Sequence, residues 1–168
     1  MEIGAKLLPY LQFTFSPRIK VDPMQLTMTG EYAIRTMVHL SRLEPGTIAQ
    51  ISDISKKWQI PEKFLRKIVA RLCRASLIKS HRGVHGGISL ARPPEQITLL
   101  QVVEEIEGPL ALNRCLVEAD FCPRVTVCSV HDVWNETQGK LREFLSSRTF
   151  AEISQQKAEP FAEVAAEA

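Results

Sequence analysis

The chain is predicted to be mainly α with one small β hairpin, and three observations carry that prediction. Apolar residues recur at three- and four-residue steps in five separate stretches, two short alternating segments flank the glycine-rich run at 81–87, and Pro or Gly marks most of the junctions. The 168 residues, 45% of them apolar, have room for one compact domain or a small domain with an appended helical segment. No run of 18 apolar residues occurs, which argues against a transmembrane helix. The apolar patch Leu7 to Phe15 is broken by Pro9, Gln12 and Thr14 and is followed by no small-residue cleavage site, so no secretory signal is expected. A cytoplasmic protein without membrane contact is the resulting expectation.

The elements follow in order. In MQLTMTGEYAIRTMVHLSRL, Tyr32, Ala33, Ile34, Met37 and Leu40 form a helical stripe after a Thr29-Gly30 start, and the helix ends before Pro45-Gly46. A second helix spans Ile48 to Trp58, with Ile51, Ile54 and Trp58 on one face. Gln59-Ile60 is the turn. Pro61 then opens a third helix, where its missing N–H costs nothing and Glu62 complements the helix dipole; this helix runs to about Ser76. Phe64, Leu65, Ile68, Val69, Leu72 and Cys73 fall on its packed side, while Lys63, Arg66, Lys67, Arg71 and Arg74 project elsewhere. Two helices joined by a tight turn, the second amphipathic and basic, make a helix-turn-helix. The segments 77–80 and 88–90 form a wing whose glycines are explained by turn chemistry. Thr98 caps a fourth helix with Leu99, Val102, Val103 and Ile106 inward, ending at Gly108-Pro109.

A fifth, long amphipathic helix carries Val130, Val133, Trp134, Thr137, Leu141, Phe144 and Leu145. So small a winged module cannot readily bury that stripe within one chain. Val130, Trp134, Leu141, Phe144 and Leu145 are therefore expected at a twofold homodimer interface. The domain plan is an extension at 1–23, either disordered or preceding the native start, a winged helix-turn-helix at 24–92, a linker helix and cysteine-bearing loop at 93–128, a dimerisation helix at 129–147 and a C-terminal tail at 148–168, mobile from 157.

Charge is uneven. Residues 55–82 hold nine Lys or Arg against the single acid Glu62, whereas 101–168 hold twelve acids against six bases. The first block is the footprint of phosphate contacts, and the second should face away from nucleic acid. Arg66 and Lys67 are expected to reach base edges of double-stranded DNA, and Lys56, Lys63 and Arg82 to touch phosphate.

Cys115, Cys122 and Cys128 share one 14-residue window, with His131 three residues on. Soft thiolates beside an imidazole suit an iron-sulfur cluster or zinc. Spacings of six and five residues lack the close pairs of a zinc ribbon, although Cys128-x2-His131 keeps a structural zinc site open. Inert thiols would be expected at core-facing helical positions, as Cys73 is, and not in a loop with Asp120, Pro123 and Arg124. A cysteine nucleophile at Cys128 assisted by His131 is disfavoured, since no third group orients the imidazole and no oxyanion-hole signature is present in the sequence.

From Met24 to about Ile153 the chain resembles the Rrf-two family of winged-helix regulators, typified by IscR, NsrR and RirA. The resemblance rests on MQLTMTGEYAIR, on ISDISKKWQIPEKFLRKIVARLCRASLIKS, on the wing HRGVHGGISLARPPEQITLLQVVEEIEG and on CLVEADFCPRVTVCSVHDVW. It implies a homodimeric, non-enzymatic transcription regulator, commonly a repressor of a palindromic operator. In that family three cysteines hold a cluster, [2Fe-2S] in the arrangement considered, that responds to iron-sulfur status, nitric oxide or redox stress. His131 matches the fourth ligand of IscR-like members and is favoured; Glu31 matches the carboxylate of NsrR-like members and is the alternative. Arg66 stands where IscR-like members tend to carry an acid, which sets the chain apart from that branch.

Overall fold

A computed structural model describes residues 26–83, 86–116 and 122–155. The extension at 1–23, the wing-tip residues Val84 and His85, and the tail from 157 lie outside the described residues. Among the described residues, six α-helices, α1 (Met28–Ser41), α2 (Ile51–Trp58), α3 (Glu62–Arg74), α4 (Leu99–Glu107), α5 (His131–Ser147) and α6 (Phe150–Gln155), accompany one antiparallel hairpin, β1 (Ile78–His81) and β2 (Gly87–Leu90). The mainly α fold with a small β wing is the one predicted.

The core gathers Ala33, Met37 and Leu40 of α1, Ile54 and Trp58 of α2, Leu65, Ile68, Val69 and Leu72 of α3, Ile78 and Ile88 of the wing, and Val102 and Ile106 of α4. These are the positions that helical and strand periodicity turn inward. Local signals also set the ends. Thr98 and Gln101 form a reciprocal capping box at α4, and Gly108, at φ +93°, closes its other end.

Five expectations are corrected. The cap of α1 is Thr27, whose hydroxyl accepts from Gly30 N at 3.3 Å, so Thr29-Gly30 lies inside the first turn. Helix α2 begins at Ile51, three residues late, because Ala49 pairs with Ile88 through bonds of 2.9 and 2.8 Å and so adds a third chain to the wing. That pairing also accounts for Gly87, which is more than a turn residue: a Cβ there would lie 2.3 Å from the Ala49 carbonyl oxygen. Phe64 is 52% exposed and does not join the packed side of α3.

The fifth correction concerns the expected tail. Thr149 bridges Thr98, Leu99 N donates to Arg148 O at 2.8 Å and Phe150 N donates to Ile97 O at 2.9 Å. The chain thus returns after α5, packs α6 on α1 and buries Phe150 completely in the core. Residues 148–155 belong to the globular unit.

Candidate nucleic-acid interface and thiol site

The α2–α3 turn is held rigidly. Gln59 takes the left-handed conformation at φ 51° and ψ 40°, Ile60 N donates to Ser55 O at 3.0 Å, and Ser55 Oγ donates back to Ile60 O at 2.6 Å. With Ile60 and Trp58 buried, this lock sets how α3 leaves α2. Helix α3 then presents Lys63, Arg66, Lys67, Ala70 and Arg74 to solvent. Lys56 stands exposed in the last turn of α2, and Arg82 follows β1 at the exposed start of the wing tip. All five candidate DNA contacts are therefore on the surface of the helix-turn-helix and wing.

Two arginines of α3 have internal partners. The Arg66 guanidinium pairs with Glu62 one turn earlier, its Nε donating to Oε1 at 3.0 Å, on an exposed face. Arg71 turns away from that face, donating to the backbone oxygen of Glu105 and placing Nε 4.0 Å from the Glu105 carboxylate. It ties α3 to α4. Sequence periodicity grouped Arg71 with the outward cations, because it carries no information about which neighbour waits at the edge of a face.

The cysteine-bearing segment is anchored at its near end. Leu110 N donates to Glu104 Oε1 at 3.1 Å, and Leu112 N donates to Gln138 Oε1 at 3.0 Å. Asn113, oriented to satisfy its amide, accepts from Trp134 Nε1 at 3.3 Å and donates to the Leu112 carbonyl at 3.2 Å. Glu104 also pairs with Arg142 of α5. Short 3-10 turns at Arg114–Leu116 and Val125–Val127 carry Cys115 and precede Cys128. His131 opens α5, its N–H bonded to Cys128 O at 3.1 Å and its Nδ1 3.7 Å from Asp132 Oδ1.

All four cysteines are free and half-buried. Burial pushes the Cys73 thiol above its ordinary range, partly offset by a hydrogen bond with Ser80, which makes it a poor thiolate. The donor set of Cys115, Cys122, Cys128 and His131 fits an iron-sulfur or zinc centre in its chemistry. Among the described residues, however, no three His, Cys, Asp or Glu side chains are gathered closely enough to hold a metal ion. Glu31 stands in the first turn of α1 and accepts from Arg35 at 3.0 Å.

Helix α5 lies against α4 with no fully buried residue. Val130, Val133, Trp134 and Phe144 are exposed, whereas Leu141 is half-buried and Leu145 faces Leu99 and Val103 of α4 across a cavity of about 320 Å³. Leu145 thus has an apolar environment within its own chain.

A locked turn feeding a basic helix, with a β wing beside it, is the architecture of a winged helix-turn-helix DNA-binding protein. The model of the Rrf2 family (Rrf-two above), described as iron-dependent transcriptional regulators, matches residues 26–156, and the chain belongs to that family. A protein of Mycobacterium tuberculosis strain H37Rv named as an HTH-type transcriptional regulator is 34% identical over 131 residues, 78% of this chain and 81% of that one. A similarly named protein of Neisseria meningitidis strain MC58 is 31% identical over 134 residues, covering 80% and 90%. Among solved structures, CymR (YrzC), the global cysteine regulator of B. subtilis, superposes with a TM-score of 0.68 at 21% identity, over 81% of this chain and 100% of that one. T. potens IscR gives 0.63 at 24% identity, over 82% and 95%. These likenesses establish the fold, and the family is one of transcription regulators rather than enzymes. No helix among the described residues is long and apolar enough to cross a membrane.

Proposed function

We propose that the protein is a cytoplasmic, homodimeric repressor that reads a palindromic operator through α3 and whose affinity depends on an iron-sulfur cluster, [2Fe-2S] in our assignment, responding to iron-sulfur status, nitric oxide or redox stress. One observation carries this reading: three free, half-buried thiols and an imidazole occupy a segment joined through α4 to the recognition helix of a winged helix-turn-helix. Cys115, Cys122 and Cys128 would hold the cluster, with His131 favoured over Glu31 as fourth ligand. When bound, such a centre supplies iron that oxidants and nitric oxide can attack.

The chain's own residues provide the coupling. Glu104 holds both the start of the cysteine segment and α5, and the adjacent Glu105 holds α3 through Arg71. A rearrangement of the segment that shifts α4 therefore shifts α3, and two states differing in this way would bind DNA unequally. The exposed apolar residues Val130, Trp134 and Phe144, with Leu141, support burial of α5 against a second copy. Replacing Leu141 and Phe144 by Glu is expected to convert the dimer to monomer in sedimentation, because two charges per chain would be desolvated. A double variant that still sediments as a dimer would move the interface elsewhere.

DNA reading is tested at two arginines. Glu62 holds the Arg66 guanidinium on the exposed face, where guanine O6 and N7 could replace the carboxylate as acceptors. Arg66→Ala is expected to cost ~1–3 kcal/mol of discrimination at one base pair. Arg82→Ala should weaken binding to all sequences alike and lower the salt slope by about one unit. Equal losses on specific and random duplexes for Arg66→Ala would refute its base-reading role.

A further inference from the structure

We propose that Phe64 reads a thymine methyl group in the major groove and is a specificity-determining residue of this regulator, an inference that rests on the DNA-reading role of α3. Its phenyl ring is 52% exposed, although Leu65, Ile68, Val69 and Leu72 of the same helix are buried. Among the described residues of α2, α3, β1 and β2, Phe64 is the one exposed large hydrophobic side chain. Exposed apolar surfaces at interaction sites for proteins or membranes are broad. A single ring set among cations fits a different occupant.

The surroundings specify that occupant. Phe64 lies near the N-terminal end of α3, the end of a recognition helix that reaches base edges first. Exposed Lys63 and Lys67 flank it, and exposed Ala70, one turn beyond Lys67, adds no bulk that would hold the helix out of a groove. Lys63 can engage a phosphate while Lys67 reaches a neighbouring base edge. A phenyl ring can neither donate nor accept a conventional hydrogen bond. The one apolar group that base edges offer in the major groove is the C5-methyl of thymine. Contact between the two would remove both surfaces from water and select T·A over the other pairs at that position.

The test begins with duplexes enriched from a randomised pool by the wild-type protein. Each dT of the enriched site is then replaced by dU, which deletes only the methyl group. At one position per recognition helix, dU is expected to weaken wild-type binding about fourfold, the effect of losing one buried methyl. Phe64→Ala should bind the dT and dU duplexes equally at that position while keeping the site's other preferences, and Phe64→Leu should recover part of the dT preference. The ring's exposure predicts an unchanged melting temperature for both variants. Wild-type indifference to dU at every position overturns the inference. So does a Phe64→Ala variant that weakens dT and dU duplexes by the same factor, which would place the ring against the sugar-phosphate backbone. A wild-type protein that enriches no sequence refutes base reading by α3 itself, and this inference with it.

Discussion

Phe150→Ala is expected to destabilise the protein by ~3–5 kcal/mol, the usual cost of emptying a fully buried phenylalanine site. Total stabilities are only about 5–15 kcal/mol, so the variant should lose roughly a fifth or more of its folding free energy and melt on the order of 10 °C lower. The ring is held by more than burial. The Thr98–Thr149 bridge and the Phe150 N to Ile97 O bond fix where α6 begins, and Arg42 Nε donates to Ser154 O at 3.1 Å near its end. Truncation after Ser147 should therefore do at least as much damage. The check is thermal and urea unfolding of both variants; a change below about 1 kcal/mol would mean that α6 is dispensable and that the globular unit ends with α5.

Cys115→Ala, Cys122→Ala and Cys128→Ala are each expected to abolish the visible absorption of anaerobically isolated protein, because a lost thiolate leaves an iron open to solvent. Cys73→Ala should leave it intact, since this thiol lies on α3, outside the 14-residue window of the other three. At the fourth position His131→Ala should give a bleached or readily lost chromophore and Glu31→Ala an unchanged one. The reverse pair of outcomes assigns the carboxylate instead. A colourless wild-type protein with stoichiometric zinc would remove the iron-sulfur reading and leave a winged-helix DNA-binding protein with a structural metal.

Much of this protein follows from the sequence by itself. The five long helices, the wing, the caps at Thr98 and Gly108 and the basic character of α3 are set by residues within a few positions of one another, so periodicity, capping chemistry and local charge are sufficient to place them. The window holding Cys115, Cys122, Cys128 and His131 is picked out by spacing and residue type as a soft-metal donor set, but the described residues do not gather three such side chains closely enough to hold an ion, so the sequence proposes this site without the fold assembling it. Contacts between distant segments were decided only by the tertiary structure. Phe150 looks like part of a polar tail until Ile97 and α1 are brought beside it. Ala49 reads as helix until Ile88 offers it a strand partner, and Gly87 reads as a turn residue until the Ala49 carbonyl sits where its Cβ would be. The same holds for rotation about a helix axis. Periodicity defines a face on α3 but not its edges, and the packing of Leu65, Ile68 and Leu72 leaves Phe64 in solvent while Arg71 is drawn to Glu105. A one-dimensional pattern records which residues prefer burial, and only the meeting of elements far apart in the chain determines which of them obtain it.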